Sequence, residues 1–567
     1  MKVGAAKIEI TPPLNTPLPL LGWGDPLHVG KHAATPIFSR AVAFENRGGK
    51  RLVFVSVEIC FISESIRRGV MQRLGGAGSS LALKEHELVL TATHTHNAPG
   101  GYCHSILYNI TSKGYFPEVF EHYIGGITES ILLAWERRGD AELRFASGDI
   151  PHHEPVAFNR SIQSWNANPD TEKFSFKERH QALHRRMDVL TAVSKESETD
   201  GKTVALVSWF AVHCTSMHRD FHAIHSDNKG IASLKTEDHF HLSGDAAIAI
   251  FAQGAAGDVS PNYRRFFFKN EVRGAFSDDV KSCDLNGEIQ SRFALNLAKN
   301  AKALQSEELD SVLAHHDCTR VPIPPEWVKG ETGLTTGPAA LGCPFMGGAA
   351  EGGGAGPIKL WLIEAGLRFA YWLNRRKIQQ RVHGNKVICV ELTEGKVFGD
   401  ARPEDLPIPS LVDPVIRVIR FWSRLKVFRA EPMTPTIMPI QLFRVGHLGF
   451  AAVPGEFTTQ SGVRLRRLLA PILNKVGIQE VIVSGYANSY AGYVTTEEEY
   501  QLQNYEGACT HFGRYTLLGY MALFRQIARK WVGDPPLGEE IIERPAPDLK
   551  SRSYLKKIDS ALYSRKG

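Results

Sequence analysis

The chain has 567 residues, 43% hydrophobic and 22% charged, an ordinary balance for a globular protein able to bury a large core. Its 66 basic and 60 acidic residues leave a formal charge of +6, too mild over this length to mark a nucleic-acid binder. The start, MKVGAAKIEITPP, has no apolar signal-peptide core, and no stretch reaches the ~18 apolar residues of a membrane span. The eight cysteines include no CxxC pair, so a reducing, cytoplasmic setting is the expectation.

In chain order, Arg51–Cys60, Glu87–Thr93, Thr203–Val212, Ala247–Ala252, His447–Val453 and Glu480–Ser484 read as strands. Each is a short apolar run rich in Val, Ile, Leu or Phe. Helical periodicity lies in Gly462–Ala470 and Tyr515–Val532, so strands interleave with helices and predict an α/β or α+β architecture. Residues 347–356 (GGAAEGGGAG) read as loop. From about Pro535 the Pro- and charge-rich end reads as a loosely packed tail, dividing the chain into a domain at 1–534 and a tail at 535–567.

The turns after the strands carry the chemistry. Active sites gather at strand ends in such sheets, and here most strands run into polar turns with ionisable groups. In Thr93-His94-Thr95-His96 the two histidines point to one side of an extended backbone. They can reach one metal ion, or one ligand and one substrate. His213, in WFAVHCTSM (209–217), is either a core histidine or a further ligand; a catalytic zinc takes three or more N/O ligands, often from separate segments. His218 and His222 have the spacing of a helical metal pair, but Arg219, Asp220 and Lys229 make a solvated loop the expectation. Ser260, in GDVSPN (257–262), is a nucleophile, an oxyanion donor or a turn cap. Glu456, in VPGEFTT (453–459), is a carboxylate ligand or a solvated turn residue. Tyr486, Tyr490, Tyr493, Tyr500 and Tyr505 read mostly as packing residues.

Taken together, THTHNAPGGY (93–102), FNRS (158–161), WFAVHCTSM, SDNKGIAS (226–233), GDVSPN, VPGEFTT and GYVTTEEEYQLQNYEG (492–507) resemble the signature blocks of the neutral/alkaline non-lysosomal ceramidases, in the family's order. The resemblance implies an α/β catalytic domain of twisted mixed β-sheets flanked by helices, with the active site at strand ends. It implies a zinc ion held by His94, His213, Glu456 and Tyr493. It makes Ser260 the nucleophile, places His96 and Arg160 on the scissile amide, and places Tyr505 near the substrate. The implied reaction is zinc-dependent hydrolysis of ceramide, or a related N-acyl sphingoid lipid, to a fatty acid and an amine.

The chain departs from the family pattern at Asn97-Ala98, where Ser-Gly is usual, and in the histidine-rich approach to Ser226. The immunoglobulin-like carboxyl-terminal domain of many members is expected to be missing. These departures motivate two alternatives: hydrolysis of a different N-acyl lipid or N-acyl amine, and a non-catalytic lipid-binding protein. The basic, apolar segments 361–377 and 415–429 are either core helices with solvated arginines or sites of peripheral membrane contact.

Overall fold

The computed structural model describes residues 1–76, 81–199, 201–266, 272–349, 351–352, 354, 357–374, 382–393, 395–397, 432–538 and 540–549. The basic segment 415–429 and residues 375–377 lie outside the described residues.

Two sheets pack face to face. The larger contains β1 (Lys2–Glu9), β2 (Phe38–Glu45), β3 (Arg51–Val57), β4 (Leu88–Ala92), β5 (Gly139–Asp149), β6 (Arg186–Ser194), β7 (Thr203–Phe210) and β8 (Ile248–Gln253). Their order across the sheet is β8-β7-β6-β5-β1-β2-β3-β4, with the short strand Lys302–Ala303 added beside β5. The smaller sheet runs in chain order through β9 (Leu309–Asp317), β10 (Ile437–Val445), β11 (Leu448–Ala452) and β12 (Glu480–Ser484). Pairing is antiparallel except for β3/β4, β7/β8 and β11/β12, which run parallel within each pair. The mixed sheets flanked by helices confirm the expected α/β class.

Strand alternation shows why each run is apolar throughout. Along β7, Ala205, Val207 and Trp209 face the second sheet, while Leu206 and Phe210 face outward onto helices. The inter-sheet layer holds Phe44, Phe54 and Trp209 against Phe443 and Phe450. The last two rings stack at 4.6 Å, and Trp209 meets Phe450 at 4.8 Å. On the outer faces, α1 (Glu64–Leu74) and α2 (Pro117–Glu136) bury Ile66, Val70, Ile127 and Ile131 over β2–β4. The helices α3 (Asp227–Leu242) and α4 (Asp279–Lys299) cover β6–β8. A further helix, α5 (Pro357–Asn374), packs Leu367 beside the smaller sheet's core, whose outer face is covered by α6 (Thr459–Leu473) and α7 (Thr516–Trp531). Strands covered on both faces lose the polar alternation of half-exposed ones, which is why they read as continuous apolar runs.

The tail adds contacts of its own. The Arg544 N–H donates to the His315 carbonyl at 2.7 Å, and Pro547 and Leu549 line a cavity with Phe61 and Tyr108.

Candidate metal centre and substrate cavity

Three loops leaving parallel strands converge. β4 runs directly into Thr93 and His94, β7 into His213, and β11 through Pro454-Gly455 into Glu456. Buried polar side chains tie these exits together. Gln253 Nε2, at the end of β8, donates to the carbonyls of Thr93 (2.8 Å) and Val212 (2.6 Å), one residue before each histidine. Lys229 Nζ, fully buried on α3, donates to the carbonyls of Phe210 (2.8 Å) and Ala252 (3.2 Å). Asn228 Nδ2 donates to the His213 carbonyl at 2.9 Å. Each buried carbonyl would cost ~1–3 kcal/mol if left unpaired, so these residues set where the loops lie. Glu456 pairs in parallel register with Tyr493, bringing the last of the expected ligands alongside. Backbone strain concentrates here as well: His94 (φ 70°), Tyr486 (φ 54°), Asn488 (φ 64°) and Asp227 (φ 55°) are all left-handed without being glycine.

Ligand atoms of His94, His213 and Glu456 lie within 4.8 Å of one another, and all three residues are buried. His94 Nδ1 donates to the Cys60 carbonyl at 2.7 Å, and His213 Nδ1 donates to the Ala256 carbonyl at 2.7 Å. With Nδ1 carrying the proton, both Nε2 lone pairs point inward, the arrangement that outer partners impose on metal-binding histidines. His213 Nε2 has no hydrogen-bond partner although Glu456 Oε2 lies 3.0 Å away. Burial lowers His94 to about 4, against the pull of Glu456, so its ring is neutral at physiological pH. Burial opposes ionisation of Glu456, but His94, His213 and Tyr490 hold it well below the usual carboxylate range. Its oxygens accept from Tyr490 and from Tyr486 (3.2 Å). Two inward-facing imidazoles, one held carboxylate and an orphaned buried nitrogen fit a zinc ion.

Above the donors opens a cavity of ≈ 310 Å³. His94, His96, Glu456 and Tyr493 share its wall with Leu107, Ile110, Leu341, Phe345, Val390, Met433 and Tyr505. His96 Nε2 sits 3.1 Å from His94 Nε2, and its buried Nδ1 has no partner. Trp23 meets the His96 ring edge-on at 5.1 Å. Gly22 (φ 134°) lets this happen, since a Cβ there would lie 2.3 Å from the imidazole.

The family model for "Neutral/alkaline non-lysosomal ceramidase, N-terminal" matches residues 1–408 and 424–522. The chain belongs to this family. A neutral ceramidase of Pseudomonas aeruginosa is 32% identical over 493 residues, 87% of this chain and 66% of that protein. Neutral ceramidase B of Dictyostelium discoideum is 30% identical over 94% of this chain and 72% of its own length. The crystal structure of the Pseudomonas aeruginosa neutral ceramidase superposes with a TM-score of 0.74 at 29% identity, covering 97% of this chain and 76% of that one. A structure described as ceramidase complexed with C2 gives 0.78 at 29% identity, covering 97% and 77%.

Within this ceramidase fold the residues singled out from sequence fall into two groups. His94, His96, Glu456, Tyr493 and Tyr505 line the cavity, with His213 among the candidate metal donors. Arg160 and Ser260 lie behind that wall. Arg160 Nε donates to Glu506 (2.9 Å), Nη1 to Glu351 (3.1 Å), and Nη2 to the Gly257 carbonyl (2.8 Å) and the Tyr493 hydroxyl (2.9 Å). Ser260 Oγ accepts from the Asn262 N–H at 2.8 Å, the turn-capping geometry. Tyr486 and Tyr490, read as packing residues, instead hold the Glu456 carboxylate. Residues 218–222 form no helix. His218 is buried, bonds the Val272 carbonyl at 2.7 Å and stacks on Trp23, while His222 is exposed. Lys229, counted with that loop as solvated, is instead buried on α3. Asn97 faces away from the substrate cavity. Its amide donates to the carbonyls of Phe221 (3.0 Å) and Ala223 (3.2 Å), anchoring the histidine-rich loop. Gln253, Glu351, Gly22 and Trp23 lie outside the signature blocks, and Glu506 lies within the 492–507 block with nothing in its spacing to mark its role.

Proposed function

We propose that this chain hydrolyses the amide bond of ceramide or a closely related N-acyl sphingoid lipid, with zinc held by His94, His213, Glu456 and Tyr493. The observation that carries this reading is the convergence of three buried donors, one of them an unpartnered nitrogen, at the foot of an apolar cavity. When bound, zinc supplies Lewis-acid polarisation of the amide carbonyl and activation of a water molecule.

The chain's own residues do the remainder. The apolar wall takes the lipid chain and excludes bulk water, which strengthens every polar interaction inside. His96, with its free Nδ1, is placed to hydrogen-bond the amide and to move a proton to the departing amine, too poor a leaving group as an anion. Arg160 holds the Tyr493 hydroxyl from behind. Ser260, buried and engaged in its turn, assists through that framework in this reading rather than as the attacking group.

A lipid substrate also fits the surface of α5. Leu367 faces inward with Leu360 and Ile363, while Ile358, Trp361, Leu362 and Phe369 are exposed along the opposite face, 57–75% each. Exposed apolar stripes of this kind mark interaction surfaces. Lys359 and Arg368 flank the stripe, and α5 packs on the Cys343–Gly347 turn whose Phe345 lines the cavity. In the proposal this face rests in a lipid surface and admits substrate; no helix among the described residues is long and apolar enough to cross a membrane. Flotation with anionic liposomes that is lost in a Trp361→Ser/Phe369→Ser variant is expected, and equal flotation of both would exclude the contact.

Release of fatty acid from a panel of ceramides and other N-acyl amines tests the substrate. The volume of ≈ 310 Å³ lies at the small end of ligand cavities, which favours short acyl chains within the panel. Release from simple N-acyl amines but not from ceramides would replace the substrate. A zinc-loaded chain that hydrolyses none of them would leave only lipid binding.

A further inference from the structure

The segment 347–356 has the composition of a spacer, yet its single charged residue, Glu351, is 2% exposed. One carboxylate oxygen accepts from Arg160 Nη1 at 3.1 Å. The other accepts from Thr215 Oγ1 (2.9 Å) and Asn262 Nδ2 (3.2 Å). These partners come from three separate motifs: the FNRS block, the turn after His213, and GDVSPN. Burial favours the neutral acid, but Arg160, His213 and a hydrogen bond from Ser260 outweigh it and keep the carboxyl below its ordinary range.

The glycines explain how an acid on a loop reaches so deep. A Cβ on Gly352 would lie 2.9 Å from the Trp23 ring, which itself packs on His96. Glycine is therefore needed for close approach there, rather than for flexibility. Gly352 packs close to Trp23, and Glu351 beside it is the side chain delivered to the site.

The consequence concerns Arg160. Its guanidinium is gripped from two sides, by Glu351 and by Glu506, and the remaining Nη2 donors are aimed at the Gly257 carbonyl and the Tyr493 hydroxyl. Removing one grip frees a rigid planar fork to rotate away from Tyr493, because the direction of each N–H is fixed by the plane.

We propose that Glu351 is a positioning residue for the reaction: it clamps Arg160 against Tyr493 and fixes the Ser260–Asn262 turn. This rests on the proposed amide hydrolysis. The test uses the full zinc-loaded chain and the variants Glu351→Ala, Glu351→Gln and Glu351→Asp. Misplacement of a supporting group by about 1 Å typically costs ~10²-fold, so kcat in the Ala and Gln variants should fall by that order with KM little changed. Zinc stoichiometry should stay at the wild-type value, and Asp should recover part of the loss. Backbone amide exchange at 158–161 and 257–262 should quicken in the Ala and Gln variants, a readout independent of turnover. Should the wild type hydrolyse no N-acyl lipid, the functional reading fails and the exchange arm alone decides the clamp. Wild-type kcat in the Gln variant, or unchanged exchange at both segments, would overturn the proposal.

Discussion

The two sheets contribute unlike halves of the site. The larger supplies His94 and His213, and both are buttressed by backbone: the Cys60 carbonyl after β3 and the Ala256 carbonyl after β8. The smaller supplies Glu456 and Tyr493. Its buttresses are side chains, the hydroxyls of Tyr486 and Tyr490 on the acid and the Arg160 guanidinium on the tyrosine. The halves meet where Trp209, Phe443 and Phe450 pack the sheets together, and hydrogen bonds such as Arg160 to Tyr493 and Thr459 to Asp258 cross between them. Metal affinity should therefore report sheet-to-sheet registration as well as ligand identity, and the acid half should be the easier one to perturb by mutation.

The strongest break is His213→Ala, which removes a donor outright. Metal binding and turnover should both vanish while the chain still folds, as read by metal analysis, activity and circular dichroism. Retained stoichiometric zinc would contradict the ligand assignment. Next, Phe450→Ala hollows the inter-sheet layer without touching the site. It should cost about 3–5 kcal/mol in denaturant unfolding and weaken zinc binding as a secondary effect. Unchanged affinity in a folded variant would show that the halves are held together by something other than this layer.

Acid loads both halves. Burial holds His184, beside the larger sheet, and His225 at about 4, and His315, on the smaller sheet, at about 3. Unfolded histidines titrate near 6.5. Below that pH the unfolded chain takes up protons that the folded chain refuses, so stability present above pH ~6.5 is lost as pH falls toward 4. Thermal unfolding should therefore shift downward between pH 7 and pH 5; a flat profile would contradict neutral burial.

The finest contrast sets Tyr490→Phe against Cys60→Ala. Losing the hydroxyl should weaken zinc binding ~10–100-fold. Losing the thiol leaves the Cys60 carbonyl on His94, so affinity should stay within about threefold. Equal effects would erase the distinction between the halves.

The sequence shows the strands that feed the site and hides many that frame it. β3, β4, β7, β8, β11 and β12 are covered on both faces or end in motifs, so they read as uninterrupted apolar runs. β1, β5, β6 and β9 carry no such mark, because residues such as those in GDAELRFASGD alternate with polar groups and lead into no motif. The candidate metal donors lie in recognisable blocks. Their supports are not recognisable in this way, because Tyr490 acting on Glu456, Gln253 on Thr93 and Glu351 on Arg160 are pairings of distant segments that only the fold creates. Arg160 illustrates the limit: its block was recognisable, but its donors are directed at Tyr493 and two acids rather than into the cavity.

Crystallographic anomalous scattering at the zinc edge, on crystals of the zinc-loaded chain, tests the central claim most directly. One peak, bonded to His94 Nε2, His213 Nε2, Glu456 and Tyr493 with Zn–N/O distances of about 2.0–2.2 Å, is the predicted result. A site without density, or a peak on His218 and its neighbouring loop, would contradict the account.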